Sequence, residues 1–157
     1  MLRALRAGSG LAGRVQEAIL ALIRADDIAA CIAIDLPALL GIDAALLCSE
    51  AGTPVRLQAR ALPPDAVAAL IGTRDVVLRV DPADAAALHG EAALLARHDA
   101  LLRVPAAGMP PMLLALAARD DTVLSETLGD GAGTAALGFL GRVLAARIEA
   151  IWPDRVS

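Results

Sequence analysis

The sequence predicts an α+β domain in which a central antiparallel sheet of about five to six strands carries the N- and C-terminal helices on one face. Three observations predict it. Apolar residues recur every three or four positions near both ends, alternate or form short runs between them, and are punctuated there by Gly and Pro. A length of 157 residues suits one hydrophobic core and is short for two. The expected organisation is an N-terminal extension over 1–11, a single domain over 12–152 and a tail over 153–157.

The first helix is read from Val15, Ile19, Leu22 and Ile23, which share one face while Gln16, Glu17 and Arg24 lie off it. Gly8, Gly10 and Gly13 weaken its continuation toward Leu2, hence the separate extension. Asp26 or Asp27 offers an N-cap for a second helix carrying Ile28, Cys31, Ile32, Leu36 and Leu39, with a kink at Pro37 and an end at Gly41. The period then changes. Ala44 to Cys48 reads as a buried strand, and Val55 to Arg60 alternates as its antiparallel partner across the turn Gly52-Thr53-Pro54.

Pro63, Pro64 and Asp65 open a short helix over Val67 to Ile71, because a first helical turn has no use for the missing proline N–H. A strand over Val76 to Val80 stops at Asp81-Pro82, and Ala83 to Leu95 forms a helical excursion carrying His89. Strands over Leu101 to Val104 and Met112 to Ala117 are joined by a Pro-containing turn. A polar loop over Arg119 to Gly133 leads to a long helix traced by Leu137, Leu140, Val143, Leu144, Ile148 and Ile151, with Asp130 or Thr134 as cap.

Composition excludes several function classes. All 14 basic residues are Arg, and Lys, Asn and Tyr are absent, so there is no lysine for a Schiff base or a phosphate loop. A net charge of −4, with arginines spread along the chain, argues against nucleic-acid binding. The longest apolar stretch, Ile28 to Cys48, is interrupted by Asp35, Pro37, Gly41 and Asp43. Each Asp at mid-bilayer would cost about 2.5 to 3.5 kcal/mol, so no membrane span is expected.

Only Cys31 and Cys48 are present, outside any Cys-x-x-Cys pair, which predicts buried inert thiols in a reducing, cytoplasmic compartment. Together with His89 and His98 they lack the short ligand spacings of a zinc site, so no metal and no cofactor is expected. His89 and His98 read as surface histidines, and no nucleophile motif accompanies them. Gly129 to Thr134 precedes a helix in the manner of a phosphate cradle. It does not follow a strand, and Glu126 and Asp130 lie close by, so it reads as a loop and N-cap. No catalytic residue is expected.

Two stretches carry a family resemblance. Asp35 to Leu47 resembles the helix-to-first-strand passage of GAF-like domains. Leu114 to Asp120, Gly131 to Thr134 and Phe139 to Arg147 together look like the last strand, loop and terminal helix of a bacterial GAF-like family, number 484 in the domain-of-unknown-function series. The resemblance spans roughly residues 12 to 152. It implies a GAF-like fold without an established activity, with an additional N-terminal helical segment of which this chain carries little. The chain departs from the cyclic-nucleotide GAF signature, which needs Asn and Lys, so binding by that recipe is excluded and no family site residue carries over.

Two sets of candidate residues follow. Arg79, Asp81, Arg97, His98 and Arg103 surround the strands beside the helical excursion, where they would line a cleft for a small anionic molecule; the competing reading is scattered solvated charge. Val15, Ile19, Leu22, Leu140, Leu144, Ile148 and Ile151 form apolar stripes on the terminal helices that would meet in a four-helix homodimer seam; the competing reading is a monomer whose terminal helices pack on its own sheet. The expected function is a non-enzymatic regulatory or protein-interaction module, with a small-molecule sensor as the alternative.

Overall fold

Helix α1 (Leu2–Arg24) is broken at Gly10, whose φ of 68° and ψ of −170° leave the helical region, so helical residues also stand on the N-terminal side of the break. The computed structural model describes the backbone of residues 2–50, 57–120 and 131–151, and their side chains from residue 10 onward except at 131. Below the break Leu11, Val15, Ala18 and Leu22 recur at four, three and four, and all are buried.

Asp27 caps α2 (Ile28–Ala30): its Oδ1 accepts the Ala30 N–H at 3.1 Å. The chain then widens into a π-helical turn over Cys31–Asp35, in which the Leu36 N–H reaches back five residues to the Cys31 carbonyl, before α3 (Leu36–Leu40). Pro37 supplies a cause. In a regular helix its ring meets the carbonyl four residues back, and one extra residue in the preceding turn relieves that crowding. The irregularity thus sits in the turn before Pro37 rather than at it. Gly41, at φ 74°, ends α3 in the left-handed conformation, and its N–H and that of Ile42 both donate to the Pro37 carbonyl.

Five strands follow: β1 (Ala44–Glu50), β2 (Arg60–Leu62), β3 (Val76–Val80), β4 (His98–Arg103) and β5 (Met112–Ala118), in the spatial order β2-β1-β5-β4-β3. The pairs β1–β5, β4–β5 and β3–β4 are antiparallel, whereas β1–β2 is parallel, so the sheet is mixed. This corrects the expected hairpin of Ala44–Cys48 with Val55–Arg60. Leu57 is drawn into the core, Gln58 takes a left-handed φ of 52°, and among the described residues pairing with β1 starts at Arg60. Alternation reports an extended run but not its direction, which explains the misreading. Residues 51–56, including the expected turn, lie outside the described residues.

Every residue of β5 is buried, as befits the middle of a sheet covered on both sides. Met112, Leu114, Leu116 and Ala118 join the larger core under α1, α3 and α6 (Gly131–Ile151), while Leu113 and Ala115 join a smaller one on the other face. The terminal helices therefore share one face, as expected. The second face is covered by α4 (Ala66–Ile71) and α5 (Ala85–His89), the latter followed by a 3-10 stretch over Gly90–Leu95. Val67, Ile71 and Leu88 pack there on Cys48, Leu101, Leu113 and Ala115. Gly129 and Asp130 lie outside the described residues; Thr134 falls inside α6 rather than capping it.

The residues expected in a dimer seam are spent elsewhere. Val15, Leu22, Leu140, Leu144 and Ile148 are fully buried within one protomer, and Ile19 and Ile151 pack partly buried against the same cluster. No described helix is long and apolar enough to cross a membrane.

Candidate functional site

Arg79 and Asp99 are cross-strand partners of β3 and β4, and this pairing organises the polar chemistry over the second face. The Arg79 guanidinium grips the Asp99 carboxylate in a fork, Nε to Oδ1 at 2.9 Å and Nη2 to Oδ2 at 2.6 Å. His89, the last residue of α5, places Nε2 2.8 Å from the same Oδ2. The Asp99 and His89 side chains are 0% and 1% exposed, so two polar groups are shut away from water with each other as partners. His89 is thus a buried tether between α5 and β4, not the expected surface histidine.

Arg79 also reaches outward. Its Nη1 donates to Asp84 Oδ2 at 3.1 Å, and its Nη2 lies 3.0 Å from Asp84 Oδ1 without an aligned hydrogen bond to that shielded oxygen. Burial pushes the Asp99 carboxyl up, but the hydrogen bonds from Arg79 and His89 and the Arg79 charge outweigh it and hold it below its ordinary 3.8. The hydrogen bond to Asp99 raises Arg79 against its own burial, with Asp84 adding to the effect.

Beside Asp84 a cleft of about 270 Å³ opens between β2, α4 and α5. Its walls are Leu62, Pro63, Leu70 and Leu88, and its space exists because Ala61, Ala66, Ala69 and Ala87 face one another where larger side chains would meet. Two further anchors fix the helices that frame it. The Glu50 carboxylate accepts the N–H groups of Asp65 at 2.9 Å and Val67 at 3.1 Å, satisfying the start of α4. Arg60 on β2 donates from Nε to the Ala87 carbonyl at 2.7 Å and from Nη2 to that of Ala86 at 3.3 Å, binding the end of α5.

A scan against protein-family models finds no match, and no curated protein matches the chain. The geometry therefore carries the functional argument.

The five candidate ligand residues fall in three places. Arg79 is engaged by two carboxylates as described. Arg97 and His98 line an open polar cleft of about 630 Å³ at the start of β4, with Asp43, Arg119 and Asp120, and Asp81 approaches Arg97 at 3.8 Å on its exposed rim. Arg103 lies at the opposite end of β4, donating to the carbonyls of Arg74 and Gly72 and facing Asp75 at 4.0 Å. Acidic residues interleave with the basic ones in the polar cleft, so it offers no concentrated positive field for an anion.

The thiols are separated by the sheet, Cys31 in the larger core and Cys48 in the smaller. Burial pushes Cys48 up to about 12, and its Sγ donates weakly to the Leu88 carbonyl at 3.7 Å. Burial, aided by Asp35, pushes Cys31 up to about 11. Both are neutral at physiological pH, which is the wrong state for a nucleophile.

Sequence reasoning missed Asp84, Asp99, Glu50 and Arg60. For Asp99 a signal existed: pairing Val76–Val80 antiparallel with His98–Leu102 sets Arg79 opposite it. For Glu50 and Arg60 no local pattern exists, because their partners are main-chain groups 15 to 27 residues away.

Proposed function

We propose that this chain is a non-enzymatic regulatory or protein-interaction module of GAF-like type that works as a homodimer. The order of helices and strands supports the GAF-like reading, as do the stretches Asp35 to Leu47 and Phe139 to Arg147. The buried, protonated thiols and a histidine committed to Asp99 support the absence of catalysis.

One observation carries the dimer: the outer side of the α1–α6 pair. Leu20, Ile23 and Phe139 are 48%, 54% and 49% exposed. Leu20 and Phe139 line a groove of about 690 Å³ between the two helices, with Ile19, Ala135 and Ala136, and among the described residues every one that lines it is uncharged. A twofold axis brings such a strip against itself, and the alanines allow close helix approach. This seam uses the outer side of the helices: of the stripes named from the sequence, Val15 and Ile19 line the groove, whereas Leu22, Leu140, Leu144 and Ile148 face inward. Burying the exposed halves of Leu20, Ile23 and Phe139 on both protomers contributes about 6 kcal/mol before association costs. A concentration-dependent dimer follows. Sedimentation from micromolar to millimolar protein is expected to show it, and Leu20→Glu with Phe139→Glu to abolish it without unfolding the chain. A wild-type monomer at the highest concentration would sink the reading.

A second reading, a small-molecule sensor, is favoured by the α4–α5 cleft over the sheet. Its walls hang on Glu50, Arg60 and the His89–Asp99–Arg79 chain, so an occupant would bear on the same contacts that position α5.

A further inference from the structure

We infer that the α4–α5 cleft selects a small apolar molecule carrying a cationic or N–H donor group, held by Asp84. This rests on the sensor reading and specifies its ligand class.

The walls set the first requirement. Leucine, proline and alanine side chains surround about 270 Å³ of space and offer hydrophobic contact. At about 30 Å³ per water in the liquid, this is room for roughly nine water-sized units, the scale of one ring with a short chain.

The charges set the second. Among the described residues Asp84 is the one ionisable group in the lining, and its side chain is 38% exposed. It shares Arg79 with Asp99, so two carboxylates stand against one guanidinium. The buried fork commits Arg79 mainly to Asp99, and Asp84 receives one aligned hydrogen bond from it. His89 contacts Asp99 and is buried away from the cleft, so it offers no donor to Asp84. The cleft side of the cluster therefore presents incompletely neutralised negative charge beside an apolar wall. A donor reaching the Asp84 carboxylate from the cleft, beside the Arg79 hydrogen bond to Oδ2, completes that balance, whereas an anion is repelled. Arg60 keeps its positive charge at the end of α5, where its Nε and Nη2 donate to the Ala87 and Ala86 carbonyls, outside the residues that line the cleft.

The test compares three probes of one shape, phenethylamine, 2-phenylethanol and 3-phenylpropionate, by protein-observed NMR shifts on the intact chain. The amine is expected to bind about tenfold more tightly than the alcohol, with the carboxylate weakest and the shifts centred on α4, α5 and β2. Asp84→Asn is expected to bring the amine to the level of the alcohol while leaving the Arg79–Asp99 fork in place. Ala66→Leu, which adds volume to the cleft at a helical position where Leu is well tolerated, is expected to remove binding of all three. If the carboxylate binds as well as the amine and Ala66→Leu blocks both, the donor assignment falls while the sensor reading stands. If no probe binds the wild-type cleft, both fall.

Discussion

The main-chain oxygen of Arg103 occupies the place where a side chain on Gly141 would project, so α6 and β4 meet without a Cβ between them. Gly138, one turn earlier, differs: a Cβ there would rest 3.7 Å from Asp75 and Val76, ordinary van der Waals contact.

These two glycines predict opposite outcomes for one substitution. Gly141→Ala forces α6 off the sheet and is expected to cost about 3 kcal/mol, since backbone cannot yield as a side-chain tip can. Gly138→Ala fits and is expected to stabilise by about 0.5 to 1 kcal/mol through helix propensity. Urea unfolding followed by circular dichroism measures both, and a neutral Gly141→Ala would show that the close approach does not exist.

Asp99→Asn leaves Arg79 and His89 facing a neutral amide in a water-free site, and the expected cost is about 3 kcal/mol. A pH signature separates this from general loss of packing. The folded Asp99 carboxyl lies below its ordinary 3.8, so its contribution is complete above that value and is lost as acid protonates the folded group. Wild-type stability is expected to fall as pH drops from about 4, and Asp99→Asn to flatten that limb. A variant with an unchanged acid limb would count against the stabilising role of Asp99.

The thiols predict the alkaline side. Unfolded cysteine ionises near 9.0, whereas folded Cys48 holds its proton to about 12 and Cys31 to about 11. Below pH 9 both states are neutral and nothing changes. Above it the unfolded chain releases protons that the folded chain retains, so stability falls by about 1 kcal/mol per thiol near pH 10. Cys31→Ala with Cys48→Ala is expected to remove this slope, and a slope that persists would assign it to other groups.

How much of this was legible in the sequence depended on the range over which each feature is determined. Asp27, Pro37 and Gly41 act on neighbours within a turn, and they mark α2, the widened helix and its end. The strands β3 and β5 were legible from their runs of apolar residues. The β1–β2 direction was not, because the residues Val55 to Arg60 alternate equally well in either orientation. The ligand residues separated for a related reason: Arg79, Arg97 and Arg103 are near in sequence, but five residues along β4 span its full length, and the strand carries Arg103 away from His98. The dimer stripes show the same limit. Periodicity shows that Leu22 and Leu144 are buried, not whether the partner is the same chain.

Arg147 gives the last prediction, because it joins the two helices on which the dimer depends. Its Nε donates to the Leu22 carbonyl at 3.0 Å and its Nη2 to that of Ala25 at 2.6 Å, satisfying the end of α1 from α6. Arg147→Met keeps the aliphatic stem and removes both bonds, for an expected cost of about 2 kcal/mol. If the seam is built on the α1–α6 pair, loosening the end of α1 moves Leu20 and Ile23 relative to Phe139. The dimer is then expected to weaken although no groove residue is changed. Sedimentation alongside urea unfolding reads both effects. Lost stability with unaltered dimerisation would place the interface elsewhere on the protein.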